Sequence, residues 1–193
     1  MADPASRLRV VAHGPTAAAS ELVFDDRGPL LRADAVGVVS EQVRSWWSGP
    51  EPACRQTLGA LGGTGDLLPA LAGPDLGTWT GRPLADVAAA NPAGLHAWLT
   101  DPDARPHGGE TLAELVGRLG AVLAGRAWPA GTSGLVLTPL AARAITVAAL
   151  GGPAALVLAL DVGYAGQVLL SRSGSRWRLL ELLRRPESRA RVP

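Results

Sequence analysis

The sequence predicts an α/β domain, a three-layer α/β/α sandwich with a mostly parallel central sheet. Three observations lead there. Short β-branched runs that end in loops alternate with stretches of helical spacing, the pattern of a sheet covered by crossover helices. Prolines and a Thr-x-x-Glu box mark helix starts between those runs. The 193 residues, 47% of them apolar, suffice for one buried core.

Residues 7–13 (RLRVVAH) read as a buried strand entering the loop His13-Gly14-Pro15-Thr16. Residues 16–29 show no period and read as loop, and 32–44 as a helix despite Val36, Val38 and Val39. Residues 45–47 form a second short strand candidate. Residues 53–61 (ACRQTLGAL) predict a helix with Pro52 near its first position, and the Gly- and Pro-rich 62–81 predicts loop.

Two proline-led segments, 83–90 and 92–99, carry helical spacing. Thr111 with Glu114 then opens a helix whose apolar face is Leu112, Leu115, Leu119 and Val122. Residues 134–138 (GLVLT) predict a strand and 140–150 the helix after it. Residues 166–170 and 177–182 flank a Ser-Gly-Ser turn and predict an edge-lying hairpin. The expected organisation is a single domain over 1–193, with its core at about 7–183 and a frayed end at 187–193.

A formal net charge of +1 and a charged fraction of 18% give no electrostatic case for nucleic acid or an anionic membrane as partner. All 18 basic residues are arginines spread along the chain, which fits a coding bias rather than a phosphate site. The single cysteine, Cys54, excludes an internal disulfide and a cysteine-based metal site, and no His, Cys, Asp or Glu group has metal-ligand spacing. The uncharged 144–160 is broken by Gly151-Gly152-Pro153 and shorter than a bilayer span. It reads as a buried helix, a turn and another buried element. These readings predict a cytoplasmic protein with no cofactor, and a tryptophan set that can serve a homodimer interface where exposed.

Four segments, in order, resemble the histidine phosphatase (phosphoglycerate mutase-like) superfamily. Val11-Ala12-His13-Gly14-Pro15-Thr16 is similar to the strand followed by Arg-His-Gly-Glu/Pro-Thr. Pro52-Ala53-Cys54-Arg55-Gln56-Thr57 is similar to Ser-Pro-x-x-Arg-Ala-x-Gln-Thr. Residues 75–84 (DLGTWTGRPL) through 106–111 (PHGGET) resemble Asp-Phe-Gly-x-Trp-Glu-Gly-Arg, a helix, and Pro-x-Gly-Gly-Glu-Ser. Residues 135–138 with Arg143-Ala144 resemble the strand and helix around a second histidine. The resemblance implies a phosphoglycerate mutase-like fold, with His13 at the nucleophile position.

It also implies two arginines and a second histidine around a phosphate, with a carboxylic acid to protonate the leaving oxygen. A phosphate monoester carries close to two negative charges. Arginine forks screen it, and a neutral imidazole can then attack and form a covalent intermediate. This sequence departs at those positions. The arginine before the histidine is Ala12, the second arginine is Ala53, and the acid four positions before Gly77 is Gly73. Thr80 replaces a glutamate. Thr138 stands for the second histidine in a gapless alignment on Arg143, and Pro139 does if the alignment is on Thr138. Arg55, two helical residues from Ala53, lies about 200° around the axis and points elsewhere.

His13 therefore reads either as a nucleophile, general base or ligand contact at a strand end, or as a hydrogen-bonded remnant. Gly14, Thr16, Thr138 and Glu110 are the ligand-binding candidates. The two threonines read alternatively as cap or loop residues, and Glu110 as a carboxylate meeting a helix dipole. His107 reads as a pocket-rim contact or an exposed loop residue, Arg143 as a structural pair, His96 as a residue packed at a helix surface, and Cys54 as a small buried thiol. The expectation is a protein of this fold that has lost phosphomonoesterase and mutase activity and binds a small ligand or a protein partner. Its alternatives are an enzyme using His13 as acid/base on a non-phosphorylated metabolite, and a residual phosphatase clamped by Arg9, Arg27 or Arg32.

Overall fold

The computed structural model describes residues 6–17, 19, 22–24, 28–36 and 38–183. Six strands form one sheet in the order β3-β2-β4-β1-β5-β6. They are β1 (Ser6–Ala12), β2 (Val43–Ser48), β3 (Gly65–Leu67), β4 (Gly131–Leu137), β5 (Gln167–Ser173) and β6 (Arg176–Leu183). β1 pairs in parallel with β4, β4 with β2, and β2 with β3; β5 lies antiparallel to both β1 and β6. The sheet is therefore mixed, with β5 alone running against the other five.

The helices are α1 (Pro52–Ala60), α2 (Leu84–Ala90), α3 (Pro92–Thr100), α4 (Leu112–Gly125), α5 (Pro139–Leu150) and α6 (Leu156–Ala159). Alternation along β1 divides the layers. Leu8, Val10 and Ala12 join Leu115, Leu119, Ile145 and Val168 in the larger core, on the α4 and α5 side. Val11 faces the other way and packs with Trp46, Cys54, Leu58 and Val136, on the α1 side. The α4 start has the expected capping box: Thr111 Oγ1 accepts from the Glu114 N–H at 3.1 Å and Glu114 Oε2 from the Thr111 N–H at 2.9 Å. Of its expected apolar face, Leu112, Leu115 and Leu119 are buried with Leu123, while Val122 is partly buried.

Three expectations are corrected. Residues 32–44 are not a helix; a three-residue 3-10 turn at Ala33–Ala35 is followed by non-helical chain, and β2 begins at Val43. Val36, Val38 and Val39 disfavour helix there, and only the end of the segment, from Val43, pairs with β4 as strand. The 62–81 stretch holds the short edge strand β3, whose residues are all exposed and so carry no apolar alternation to read. The 166–183 hairpin forms, but β5 is inserted beside β1 and only β6 is at the edge. The 187–193 end lies outside the described residues.

The tryptophans pack in or against the core. Trp46, Trp79, Trp98 and Trp128 are buried, and Trp47 and Trp177 pack on Trp128 edge to face. No helix of the described residues is long and apolar enough to cross a membrane.

Candidate functional site

The parallel strands β1 and β4 end side by side, and the loops leaving them bring His13 and Thr138 together. The His13 N–H donates to the Leu137 carbonyl at 2.8 Å, and the His13 carbonyl accepts from the Ala165 N–H at 2.9 Å. His13 is 2% exposed. Its Nδ1 lies 2.7 Å from the Gly14 carbonyl, which can only accept, so Nδ1 is the donor and carries a proton. Its ring tilts against Tyr164 at 5.5 Å between centroids.

The cavity at His13 has a volume of about 170 Å³. Thr138, Tyr164, Phe24, Leu76 and Leu140 are among the residues that close it, and none of the described lining residues bears a guanidinium. Thr138 is the N-cap of α5, its Oγ1 accepting from the Ala141 N–H at 3.3 Å, so it is both cap and wall. Gly14 lies beside His13, and its N–H donates to Thr57 Oγ1 at 3.0 Å. Thr16 is buried but forms an isolated bridge with Leu30 and does not line this cavity.

Ala12 and Ala53 are buried, at 0% and 1% exposure, and bring no polar atom to the site. Arg55 is exposed on α1, as its helical position requires. The proposed substitute clamps are engaged or outside the described residues. Arg9 is buried against Glu41 and Glu181, Arg32 pairs with Asp34, and Arg27 is not described. Arg143 donates from Nε to the Val162 carbonyl at 3.0 Å. Burial lowers its guanidinium from the ordinary value while Asp161 opposes that shift.

Glu110 is not with His13. It lines a separate cavity of about 530 Å³ and is held by Arg118, whose Nε and Nη2 reach its oxygens at 2.7 and 2.8 Å. That two-pronged pair, rather than the helix dipole, fixes the carboxylate. His107 is not an exposed loop residue; it is 1% exposed. Its Nδ1 accepts from the Gly109 N–H at 3.0 Å, its ring stands edge-on to Trp79 at 5.1 Å, and Nε2 makes no hydrogen bond. Burial lowers its pKa, with Asp75 raising it and Arg105 lowering it further. His96 is exposed on α3.

Sequence reasoning missed Glu51. This residue immediately precedes α1 and is 9% exposed, yet its carboxylate does not cap its own helix. Oε1 instead accepts from the Gly73 N–H at 2.6 Å, across 22 residues of chain. A Cβ built on Gly73 would stand 3.0 Å from Thr138 Oγ1 and 3.4 Å from Glu51 Oε1. The carboxylate and the Thr138 hydroxyl thus crowd the space a side chain at 73 would need. The sequence signal was slight: a carboxylate just before a helix reads as an ordinary cap. Cys54 is fully buried nearby; burial first, and the Glu51 charge second, push its thiol pKa well up, so it is an inert protonated thiol.

The family model of the histidine phosphatase superfamily (branch 1) matches residues 31–184. Among solved structures, a mycobacterial protein described as hydrolase 1 is 26% identical with a TM-score of 0.79, over 92% of this chain and 97% of that one. A mycobacterial glucosyl-3-phosphoglycerate phosphatase complexed with VO3 is 26% identical with a TM-score of 0.79, over 90% and 96% of the two chains. The alpha-ribazole phosphatase of Shigella flexneri shares the fold at 16% identity, with a TM-score of 0.76 over 91% and 95%. No curated protein sequence matches.

Proposed function

We propose that this chain, which belongs to the histidine phosphatase superfamily, has lost phosphomonoesterase and mutase activity and binds a small, non-phosphorylated ligand at His13. The observation that carries this reading is the composition of the cavity wall. His13 shares it with a threonine, a tyrosine and apolar side chains, and no described lining residue is cationic. A phosphate dianion entering there would give up its hydration with no guanidinium among the described lining residues to replace it.

Loss of a single preorganised donor costs on the order of 10²–10³ in rate. Ala12, Ala53 and Thr138 each stand where the family resemblance implies such a group, although losses within one constellation do not simply add. The mycobacterial phosphatase that is 26% identical indicates the chemistry of the fold's relatives. The want of a guanidinium among the described lining residues argues against its inheritance here.

The test is turnover of 4-nitrophenyl phosphate by the wild type and by His13→Ala, with acid-labile phosphohistidine followed by phosphorus NMR. Equal, background rates and no phosphohistidine are expected. Turnover abolished by His13→Ala, or a phosphohistidine at residue 13, overturns the reading.

A further inference from the structure

We propose that Glu51 is the counter-charge of this site, and that the site takes a small organic ammonium ion carrying an apolar or aromatic group. The proposal rests on the reading above, that phosphomonoesters are not the ligand, and adds a charge and a shape to what is.

The first argument is the state of the Glu51 carboxylate. Nine-tenths buried, it accepts one backbone hydrogen bond through Oε1, while Oε2 is buried and accepts none within normal geometry. An ionised carboxylate offers about four acceptor sites. Leaving most of them unmet in a buried position is costly unless a donor is supplied from elsewhere. The Cys54 side chain interacts with the Glu51 carboxylate as a hydrogen-bond partner, but a thiol is a weak donor.

The second argument is the space it borders. Glu51 lines a cavity of about 340 Å³ whose two charged lining residues, Glu51 and Asp75, are both acidic. Pro74 lines this cavity and the His13 cavity alike, and Thr138 stands beside Gly73 between them. One continuous run of surface therefore joins an apolar, aromatic recess to an acidic one.

Arg118 lies within Coulombic reach of Glu51 but makes no hydrogen bond to it. It donates to the Gly73 carbonyl at 3.3 Å, but its guanidinium already meets Glu110 through two nitrogens. An alkyl- or arylammonium ion answers both halves. Its three N–H donors meet the carboxylate, and its apolar group packs on Phe24, Leu76, Leu140 and Tyr164, whose rings also favour a nearby cation.

The experiment is a calorimetric titration of the full chain with three probes sharing a phenyl group: phenethylammonium, phenylacetate and phenyl phosphate. Saturable binding of phenethylammonium, with both anions at least about tenfold weaker, is expected. Glu51→Gln keeps the acceptor for the Gly73 N–H and removes the charge, and weakens phenethylammonium by about tenfold or more. Glu51→Asp keeps the charge and binds within a few-fold of wild type.

No binding of phenethylammonium, tighter binding of phenyl phosphate, or unchanged binding in folded Glu51→Gln overturns the proposal. The wild-type ranking decides charge preference even where a variant fails to fold. Turnover of an aryl phosphate through His13 would sink the earlier reading. Inertness toward aryl phosphate together with indifference to phenethylammonium would sink this one alone.

Discussion

The backbone N–H of Gly14 donates to Thr57 Oγ1 at 3.0 Å, and both residues are buried. This bond ties the loop leaving β1 to α1, across the layer in which His13 is held. Thr57→Val keeps the shape and removes the acceptor, leaving a buried N–H unmet. A loss of about 1–3 kcal/mol is expected, read from urea denaturation, with Thr57→Ser close to wild type.

Two glycine-to-alanine changes should move stability in opposite directions. A Cβ on Gly109 would lie 2.1 Å from the Asp75 carbonyl oxygen, a backbone atom with no cheap way to retreat. Gly109→Ala is expected to cost about 1–3 kcal/mol or more. Gly117, inside α4, has nothing within 4 Å of such a Cβ. Gly117→Ala should stabilise by about 0.5–1 kcal/mol, since alanine loses less backbone freedom in a helix. Thermal melts of the two variants check both signs.

His107 predicts a pH dependence. Its folded pKa lies below the ordinary histidine value of 6.5, chiefly through burial. Between those two values the unfolded chain binds more protons, so stability rises with pH through that window. The contribution is complete above the unfolded pKa and is lost as pH falls toward the folded one. Unfolding free energies across that range should fall with acidity in the wild type, and less steeply in His107→Gln.

The pair of buried Arg9 and half-buried Glu41 makes a second, more acidic window. Burial pushes the Glu41 carboxyl up, but the Arg9 hydrogen bond, its own backbone N–H and the Arg9 charge outweigh it and hold the pKa below 4.5. Its stabilisation is present above the ordinary carboxylate value and is lost as pH falls through the folded one. Glu41→Gln leaves Arg9, whose side chain is 4% exposed, with Glu181 as its remaining acidic partner. A cost of about 1–3 kcal/mol near neutrality is expected, with a flatter acid limb in the denaturation profile.

Much of the fold was legible because its signals are local. The Thr111 and Glu114 box, the proline-led helices and the apolar run of β1 each state their conformation within a few residues. β2 and β3 were harder because pairing decides them. Val43–Ser48 is a strand because β4 lies beside it, and Gly65–Leu67 has no buried face at all. At the site, the resemblance placed His13, Thr138, Ala12, Ala53 and Gly73, and the structure brings His13 and Thr138 to one cavity. Glu110 could not be sorted from sequence, since its partner Arg118 shares its helix region but points it toward a different cavity. Glu51 was invisible for the opposite reason: its meaning lies in a contact with Gly73 that no spacing rule encodes.

The strand order has a consequence for synthesis. β1 leaves the ribosome before the other strands of its sheet, yet it sits between β4 and β5, with Ser6 registered against Gly131 on one side and Arg172 on the other. Arg9 waits longer still, since one of its two acidic partners, Glu181, is in the final strand. β1 cannot be paired on both sides until β5 has emerged. Such distant pairings close slowly and leave apolar edges open in the meantime. The centre of this sheet is thus its last part to be finished, and the nascent chain must protect Val10 and Val11 until the hairpin arrives.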